Sequence, residues 1–330
     1  MKNYTFIFFI VLTLLTFTFS IEAAEDGGTV APILSYSAGA RAYAMAGANT
    51  ALVDDSTATF WNPAGLAQRH REEIYLFFES LFAGTSFIFA GYTYPIQKIG
   101  VVSGSVMYLG TDNIQSVGEN LENLPSFSSY QLLVNVSFAQ KLDLYKKLFY
   151  YLKYIDAGAT VKLFNFGIDN TSKIGAGLDL GLKYYPVHWR FDDFAYYKYV
   201  KWFESFLHNA IVAVKFNNFI PPTLKFDEAR DWYLWDLNLG IAYRTLYDTL
   251  NIELDFSQTL FKKRNIRPKI GAEYTFYRMF KARLGYNGEI TAGLGVEMED
   301  FKFDYAYGYN FGLGSLHQIS VSYSFGDFIP

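Results

Sequence analysis

The sequence contains no cysteine and few charged residues. Its 330 residues include 28 Lys and Arg and 32 Asp and Glu. Charged residues therefore make up 18% of the chain, against roughly 25% in soluble domains. The absence of cysteine excludes disulfides and a lipid anchor at a mature N-terminus, and it fits an envelope protein without fixing the compartment. A formal charge of −4 without a basic stripe disfavours nucleic acid as a partner.

Beyond its N-terminus the chain also lacks an apolar run long enough for a transmembrane helix, which needs roughly 20 residues. Aromatic residues nevertheless reach 19%, with 27 Tyr and 32 Phe, while mean hydropathy is only +0.07. Many aromatic residues, few charges and neutral hydropathy indicate strands with one apolar and one polar face. This combination is typical of an outer-membrane barrel.

Residues 1–24 predict a secretory signal peptide. Lys2 precedes an apolar run from Tyr4 to Phe19, and small residues follow that run. The alternative is a retained membrane anchor, but the run is shorter than a membrane-spanning helix requires. We expect cleavage after Ala23 or Ala24 and location in a Gram-negative-type outer membrane.

Within residues 73–330, apolar and polar residues alternate over stretches of about ten residues, as in strands that surround a polar lumen. The clearest stretches are 250–257, 301–309 and 318–325. A soluble sandwich is the alternative, but its strands are nearer five or six residues long. The pattern predicts an all-β fold, a transmembrane antiparallel barrel of about 14 strands. We place the strands at 74–80, 85–94, 99–109, 129–140, 153–166, 173–185, 208–217, 233–244, 249–258, 268–277, 280–287, 290–298, 301–309 and 316–325.

The first three strands are the least distinct, because apolar residues such as Ile88, Phe89, Val101 and Val102 fall on both faces. If both termini are periplasmic, the short connections at 245–248, 278–279 and 299–300 face the periplasm. The longer connections at 110–128, 218–232 and 259–267 then face outside.

Two long connections, 141–152 and 187–207, fall on the periplasmic side and break this rule. The second contains many aromatic and Lys residues and predicts an amphipathic helix on the inner leaflet. An extended strand or a folded-back loop is the alternative.

Residues 25–72 do not alternate, and Gly39–Ala67 is rich in Ala and Gly. Arg41 is the only cation within Gly39–Ala67, so we expect it to pair with Asp54 or Asp55. Inside a lumen such a pair would be partly desolvated and would need good geometry. The alternative is a solvated periplasmic leader with a surface ion pair.

The second half of this stretch predicts a short helix and a sharp turn. Asp55 or Ser56 can cap the helix. Asn62-Pro63 then ends it, because the residue before proline is driven out of the helical region. Gly65 permits a backbone turn that other residues resist.

Gly39–Ala67 reads G-x-R-x-x-x-M-x-G-A-x-x-A-x-x-D-D-x-x-A-x-x-W-N-P-A-G-L-A. This run resembles the N-terminal signature of the FadL-like outer-membrane proteins, most closely their PorV/PorQ branch. Asn62-Pro63-Ala64 matches the NPA motif of the FadL hatch. The resemblance implies a fourteen-stranded barrel with residues 25–72 as a hatch, or plug, inside its lumen. The substrate or hatch residues that it implies are Arg41, Gly47, Asp54, Asp55, Phe60, Trp61, Asn62, Pro63, Ala64 and Gly65.

The resemblance implies one of two roles. FadL takes up hydrophobic molecules such as long-chain fatty acids, which leave through a side opening where a strand kinks. In that role, Phe60 and Trp61 would supply apolar contacts to a fatty-acid-like molecule. PorV-like members are instead accessory barrels of a secretion system and bind secreted proteins. The chain is short for a FadL-type transporter, and its outer loops look short.

The remaining partners follow from the barrel itself. Outer-membrane lipids would surround it, and the barrel-assembly machinery would read the C-terminal strand 316–325. Either Phe325 or Phe328 can supply the terminal aromatic residue that this machinery reads. An open general porin is disfavoured, because a plug would occlude the pore.

The sequence offers no recognisable catalytic arrangement. None of its four histidines stands beside a recognisable nucleophile, and the adjacent Asp192-Asp193 are more typical of a solvated loop than of a metal site. The histidines are His70, His188, His208 and His317. We therefore expect no enzymatic activity, no cofactor and no catalytic or metal-binding residues.

Overall fold

A computed structural model describes residues 32–117, 123–145, 154–169, 171–186, 209–226, 229–232, 235–244, 249–260, 266–310 and 314–326. Within these residues, fourteen strands form one closed antiparallel barrel and two further strands form a separate hairpin. The predicted all-β fold class, an antiparallel barrel of about 14 strands, is confirmed.

The elements follow the predicted order closely. The barrel strands are β1 (Glu72–Ser80), β2 (Thr85–Ile96), β3 (Gly100–Val117), β4 (Asn123–Lys141), β5 (Ile155–Ile168), β6 (Thr171–Tyr184), β7 (Ala210–Ile220), β10 (Asp236–Arg244), β11 (Leu250–Thr259), β12 (Arg267–Phe276), β13 (Phe280–Tyr286), β14 (Ile290–Met298), β15 (Phe301–Asn310) and β16 (Gly314–Phe325). The separate hairpin is β8 (Thr223–Phe226) and β9 (Ala229–Trp232). Two short helices, α1 (Ala40–Ala44) and α2 (Ala58–Trp61), precede the barrel, and 3-10 turns cover Pro32–Leu34, Pro63–Gln68, Phe82–Gly84 and Leu142–Tyr145.

Closure of the barrel joins its first strand to its last. β1 pairs with β16 from Glu72↔Phe325 to Glu79↔Gln318. Because an open strand edge in lipid would leave backbone groups without partners, closure is what allows such a sheet to span a membrane. We call the end where β1 begins and β16 ends the terminal rim, and the opposite end the far rim.

The two faces of each strand differ as the alternation predicted. In β16, Ile319 and Val321 are exposed on the outside, whereas Gln318 and Ser320 are buried inside. Apolar residues also occupy outward positions in other strands of the barrel. In β11, for example, Leu254 lies between the buried acids Glu253 and Asp255. The outer surface is therefore an apolar band, as in barrels that face lipid.

The prediction of a long loop at 110–128 was wrong. β3 extends to Val117 and β4 begins at Asn123, so most of this range is a strand hairpin. The ladder has register shifts between Thr111 and Ile114 and between Ile114 and Ser116, and Asn113 has a left-handed φ of 57°. These irregularities break the two-residue period that marks a strand in the sequence.

β7 carries a second irregularity, near the predicted connection 218–232. Leu180 pairs with Phe216, but Leu178 pairs with Ile220, so β7 has two extra residues in this interval. Asn218 lies within the bulge and has a left-handed φ of 56°. The connection is also not a plain loop, because it contains β8 and β9.

Several predictions fall outside the described residues. These are the signal peptide, the surface helix at 187–207, the pair Asp192-Asp193, and Phe328. Among the helices that the structure describes, none is long and apolar enough to cross a membrane.

Leu294→Arg tests whether the apolar outer band faces lipid. Leu294 is 61% exposed in the middle of β14, so a guanidinium there should lower the free energy of unfolding from vesicles by about 2–4 kcal/mol. Equilibrium refolding into phosphatidylcholine vesicles in urea measures the effect. Tyr277→Arg, in the exposed turn before β13, is the control and should change stability by less than about 1 kcal/mol. Equal effects at the two positions would contradict the assignment.

Candidate functional site

Residues 32–69, which we call the inner segment, lie inside the barrel. Their position follows from wall glycines that approach them closely from opposite sides. A Cβ added at Gly91 would lie 3.0 Å from the Ser56 side chain. A Cβ added at Gly240 would lie 2.9 Å from the Thr50 side chain, and one added at Gly181 would lie 2.9 Å from the Pro63 ring. Glycines at many inward positions of the wall thus allow the backbone of the inner segment to pack directly against the strands.

α1 ends in a pair of left-handed residues. Ala46 has φ 54° and Gly47 has φ 74°. Gly47 N–H donates to Ala42 O at 2.9 Å, and Ala46 N–H donates to Tyr43 O at 2.8 Å. This is the hydrogen-bond pattern of a Schellman motif, which turns the chain sharply at the end of a helix. A Cβ at Gly47 would also lie 3.2 Å from the Trp61 ring.

The Asn62-Pro63 step ends α2 as the sequence predicted. Asn62 is extended, with φ −164° and ψ 108°, and its side chain accepts a hydrogen bond from Ala64 N–H at 3.1 Å. Its amide also donates to Thr50 O at 2.9 Å. Asn62 therefore fixes the turn and joins it to the preceding part of the inner segment. The N-cap position of α2 is Thr57, and Asp55 accepts a hydrogen bond from Thr57 N–H at 2.9 Å just before the helix.

The reason for glycine at position 65 differs from the predicted one. Gly65 is not among the glycines with a positive φ, so it does not supply an unusual turn conformation. A Cβ there would collide with the backbone carbonyl and side chain of Val53. Gly65 permits close packing within the inner segment, and Ala64 beside it is fully buried.

A row of alternating charges, which we call the charge ladder, connects the inner segment to the wall. Arg41 Nη1 contacts Asp54 Oδ1 at 2.7 Å, and Arg41 Nε contacts Glu273 Oε2 at 3.0 Å. Arg283 continues the row, contacting Glu273 at 2.6 Å and Asp304 at 2.7 Å. Of the two acids predicted as partners of Arg41, Asp54 forms the ion pair.

The electrostatics of Asp54 follow from this ladder. Burial alone would raise the pKa of Asp54, but the cations Arg41 and Arg244 hold that pKa well below its ordinary value. Arg244 Nη2 lies 3.5 Å from Asp54 Oδ2. Asp54 therefore stays ionised between a cation of the inner segment and a cation of β10.

Two acids of β11 bind backbone N–H groups of the inner segment. Asp255 accepts hydrogen bonds from Asn49 and Thr50 N–H, both at 3.1 Å, and from the Thr50 hydroxyl at 2.7 Å. Glu253 accepts from Ala51 N–H at 2.5 Å and Leu52 N–H at 3.0 Å. The two wall carboxylates thus satisfy four consecutive backbone donors in a stretch without regular structure.

Wall lysines bind the carbonyl groups of the same segment. Lys183 Nζ donates to Val53 O at 2.5 Å, and Lys215 Nζ donates to Phe60 O. The sequence analysis assigned Glu253 and Asp255 to the alternating stretch 250–257 but did not connect them, or Lys183, to the inner segment. The available signal was that these charged residues face the inside of the barrel, where they lie opposite a segment that forms no strand pairs.

Phe60 and Trp61 have different surroundings. Their rings meet edge to face at 5.2 Å. Trp61 is 8% exposed and donates from Nε1 to Ala38 O at 2.8 Å, so its polar atom is satisfied within the inner segment. Phe60 is only partly buried and packs against the apolar side of the wall.

Part of the inner face of β1 to β5 is apolar, which the sequence analysis missed. Its buried side chains pack into one cluster with Ile33 and Ala38 of the inner segment. The wall members are Tyr75, Phe77, Phe87, Phe89, Met107, Leu109, Leu133 and Phe164. The weak alternation of the first three strands was the signal, because these strands carry apolar residues on both faces. We call this surface the apolar inner wall.

The charge ladder opens toward the terminal rim. A polar cavity there is lined by Arg41 and Asp54 of the inner segment and by Lys281, Glu297 and Lys302 of the wall. Within the part of the chain that the structure describes, no group of three His, Asp or Glu is arranged to hold a metal ion.

Comparison with known proteins gave matches among solved structures only. Neither protein-family models nor curated proteins gave a match. A deltaS2 mutant of the TodX monoaromatic hydrocarbon channel superposes with TM-score 0.57 and 14% identity over 89% of this chain and 99% of that chain. The CymD monoaromatic hydrocarbon channel gives 0.56 and 12% over 88% and 98%.

A FadL homologue of Pseudomonas aeruginosa gives TM-score 0.52 and 8% identity over 87% of this chain and 98% of that chain. At such identities the likeness concerns the fold. The chain thus has the fold of the FadL-type outer-membrane channels, across nearly the whole length of each of the three structures.

Arg41→Met tests whether the charge ladder holds the inner segment. Removing one partner of a buried ion pair should destabilise the packed segment by about 3 kcal/mol, because Asp54 keeps only the longer contact to Arg244. Hydrogen exchange of residues 39–67, measured by mass spectrometry, should become about 100-fold faster, because a loss of this much free energy raises the population of the open segment by that factor.

The matched control is Arg278→Met, which removes an exposed cation from the turn before β13. It should leave the exchange of residues 39–67 unchanged. Equal protection in Arg41→Met and the wild-type protein would show that the ladder does not hold the segment.

Proposed function

We propose that this protein is an outer-membrane barrel through which hydrophobic small molecules pass, with Gly39–Ala67 as a movable hatch. One observation carries the proposal: the apolar inner wall faces the lumen and meets the hatch at Phe60. Inward apolar side chains of β1 to β5 offer a hydrophobic molecule a surface that a water-filled porin does not provide. The remaining hatch residues hold the closed state through Arg41, Asp54 and the Asn62-Pro63 turn.

The β7 bulge offers a sideways route out of the lumen. Lys215 binds Phe60 O and also lies 3.2 Å from Asp179. Asp179 in turn accepts the backbone N–H of Asn218 at 2.8 Å. Movement of Phe60 would therefore be transmitted directly to the place where β7 departs from regular pairing with β6, and we propose that hydrophobic molecules leave there.

The names of the structural neighbours agree with this class of substrate. Two are called monoaromatic hydrocarbon channels and the third a FadL homologue. Within that group, the signature in Gly39–Ala67 supports a place in the PorV/PorQ branch. The alternative PorV-like role, binding a secreted protein, was favoured by the short outer loops and by the long periplasmic connection 187–207. Residues 187–207 lie outside the described residues, and no described contact favours this role over transport.

The proposal includes export and assembly. Residues 1–24 would be removed as a signal peptide, and strand β16 would be read by the barrel-assembly machinery. Outer-membrane lipids would then cover the apolar band formed by residues such as Ile319 and Leu294, which are exposed in the isolated chain.

A disulfide between hatch and wall tests whether the hatch must move. The natural chain has no cysteine, so introduced cysteines have no competitors. A Cβ at Gly91 lies 3.0 Å from Ser56 Cβ, within about 1 Å of the separation that disulfides prefer. The variant Ser56→Cys/Gly91→Cys should lose uptake of a hydrophobic fluorophore into proteoliposomes when oxidised and regain it when reduced.

Each single cysteine variant serves as a control and should respond to neither oxidant nor reductant. Uptake that stays unchanged in the oxidised double variant, with the disulfide verified by mass spectrometry, would overturn the movable hatch. Uptake no faster than that of empty vesicles in the reduced protein would overturn transport itself.

A further inference from the structure

Two acids of β11, Glu253 and Asp255, lie side by side in the lumen without a cation bound to either of them. They are 0% and 2% exposed, and they share the inner face of the strand because they are two residues apart. Neither forms an ion pair with a lysine, arginine or histidine of the described residues. By contrast, Asp54 and Glu273 both contact Arg41. Two ionised carboxylates in one buried site without a bound cation would be strongly unfavourable.

The charged side chains around this pair leave one positive charge to balance it. They are Arg267, Lys269 and Glu273 of β12, Asp236 and Arg244 of β10, Lys183 of β6 and Asp54 of the inner segment. All except Lys269 form an ion pair or a hydrogen bond elsewhere. Lys269 is directly opposite Asp255 in the strand pair, and its Nζ lies 5.7 Å from the centre of the Trp61 ring. One lysine thus balances one of the two carboxylates.

The contacts of the two carboxyl groups place a proton between them. Besides accepting the four N–H groups of residues 49–52, the two groups are in hydrogen-bond contact with each other. Because ionised carboxylates only accept hydrogen bonds, this contact requires a proton on one of them. Asp255 Oδ1 is free to share that proton, since it accepts no N–H or hydroxyl group from the described part of the chain.

We propose that Glu253 and Asp255 hold one proton between them while the hatch is closed, and that this proton locks the hatch. One proton leaves the pair with a single negative charge, which Lys269 balances. Loss of the proton places a second negative charge in a site without a second cation, and the two carboxylates then repel each other. That repulsion is relieved when residues 49–52 leave the wall and water reaches both groups.

The direction of the pH effect follows from the number of protons that each state holds. With the hatch released, both carboxyl groups meet water and are ionised above about pH 4. The closed state then holds one proton more than the open state, so a rise in pH favours opening, by up to about tenfold per pH unit. The effect ends where the closed pair itself ionises. This consequence rests on the proposed movement of the hatch, whereas the shared proton does not.

Infrared spectroscopy tests the proton directly. At neutral pH, the full-length protein in phosphatidylcholine vesicles should show the C=O band of a protonated carboxyl group, with a shift in D2O. Glu253→Gln should remove this band while retaining a group that can donate to Asp255. Asp255→Asn should remove it as well, because Glu253 then has no second acid with which to share a proton.

Glu297→Gln is the matched control, because Glu297 is a wall acid that contacts Lys281 at 2.6 Å and Lys302 at 2.9 Å. It should leave the band unchanged. If the band persisted in both Glu253→Gln and Asp255→Asn, or were absent from the wild-type protein, the shared proton would be disproved. Neither result depends on a transported molecule, so the proposed transport would stand.

Hydrogen exchange of residues 49–52 tests the lock. After correction for the intrinsic pH dependence of exchange, opening of the wild-type hatch should increase from about pH 6 to about pH 8, by up to about tenfold per unit. Glu297→Gln should show the same increase, and Glu253→Gln should show none. An unchanged increase in a folded Glu253→Gln variant would show that another group controls the hatch. A protein that retains the infrared band and this pH dependence but takes up no hydrophobic fluorophore would overturn transport alone.

Discussion

A segment with little regular structure can be buried inside a barrel only if its backbone polar groups find partners there. Here the wall supplies them. Glu253 and Asp255 accept four consecutive N–H groups of the inner segment, and Lys183 and Lys215 donate to its carbonyls. Without these contacts, each buried group would cost about 1–3 kcal/mol. The charged inner face of the barrel is therefore the complement of the inner segment rather than the lining of an open aqueous pore.

The inner segment makes different contacts with the two sides of the lumen. The wall around β10 to β15 is charged and holds Arg41, Asp54 and the backbone of residues 49–52. The wall from β1 to β5 includes the apolar inner wall, which packs against Ile33 and Phe60, and it also carries polar residues such as Glu73, which accepts a hydrogen bond from Ser56 N–H at 2.7 Å.

The strands were predictable because their pattern is local. Alternation over ten residues places Ile319 outside and Gln318 inside whatever the rest of the chain does. The end of α2 at Asn62-Pro63 is likewise a local steric effect. The ion pair between Arg41 and Asp54 joins residues 13 positions apart, and the scarcity of charges in that stretch left few alternatives.

The partners on the wall were not predictable in the same way. Glu273 is 232 positions from Arg41, and nothing in its own strand distinguishes it from the other inward acids. Gly65 shows a related limit, because its close contact with Val53 depends on the path of the whole inner segment. The apolar inner wall was visible only as weak alternation, since residues such as Phe89 were apolar where a polar lumen was expected.

The central claim is that Gly39–Ala67 closes the lumen. Single-channel recording in planar bilayers, comparing the wild-type protein with a variant that lacks Gly39–Ala67, tests it most directly. The account predicts little or no conductance for the wild-type protein and a large, noisy conductance for the deletion variant, since a fourteen-stranded barrel without its contents is an aqueous pore. A folded deletion variant with the same conductance as the wild-type protein would contradict it.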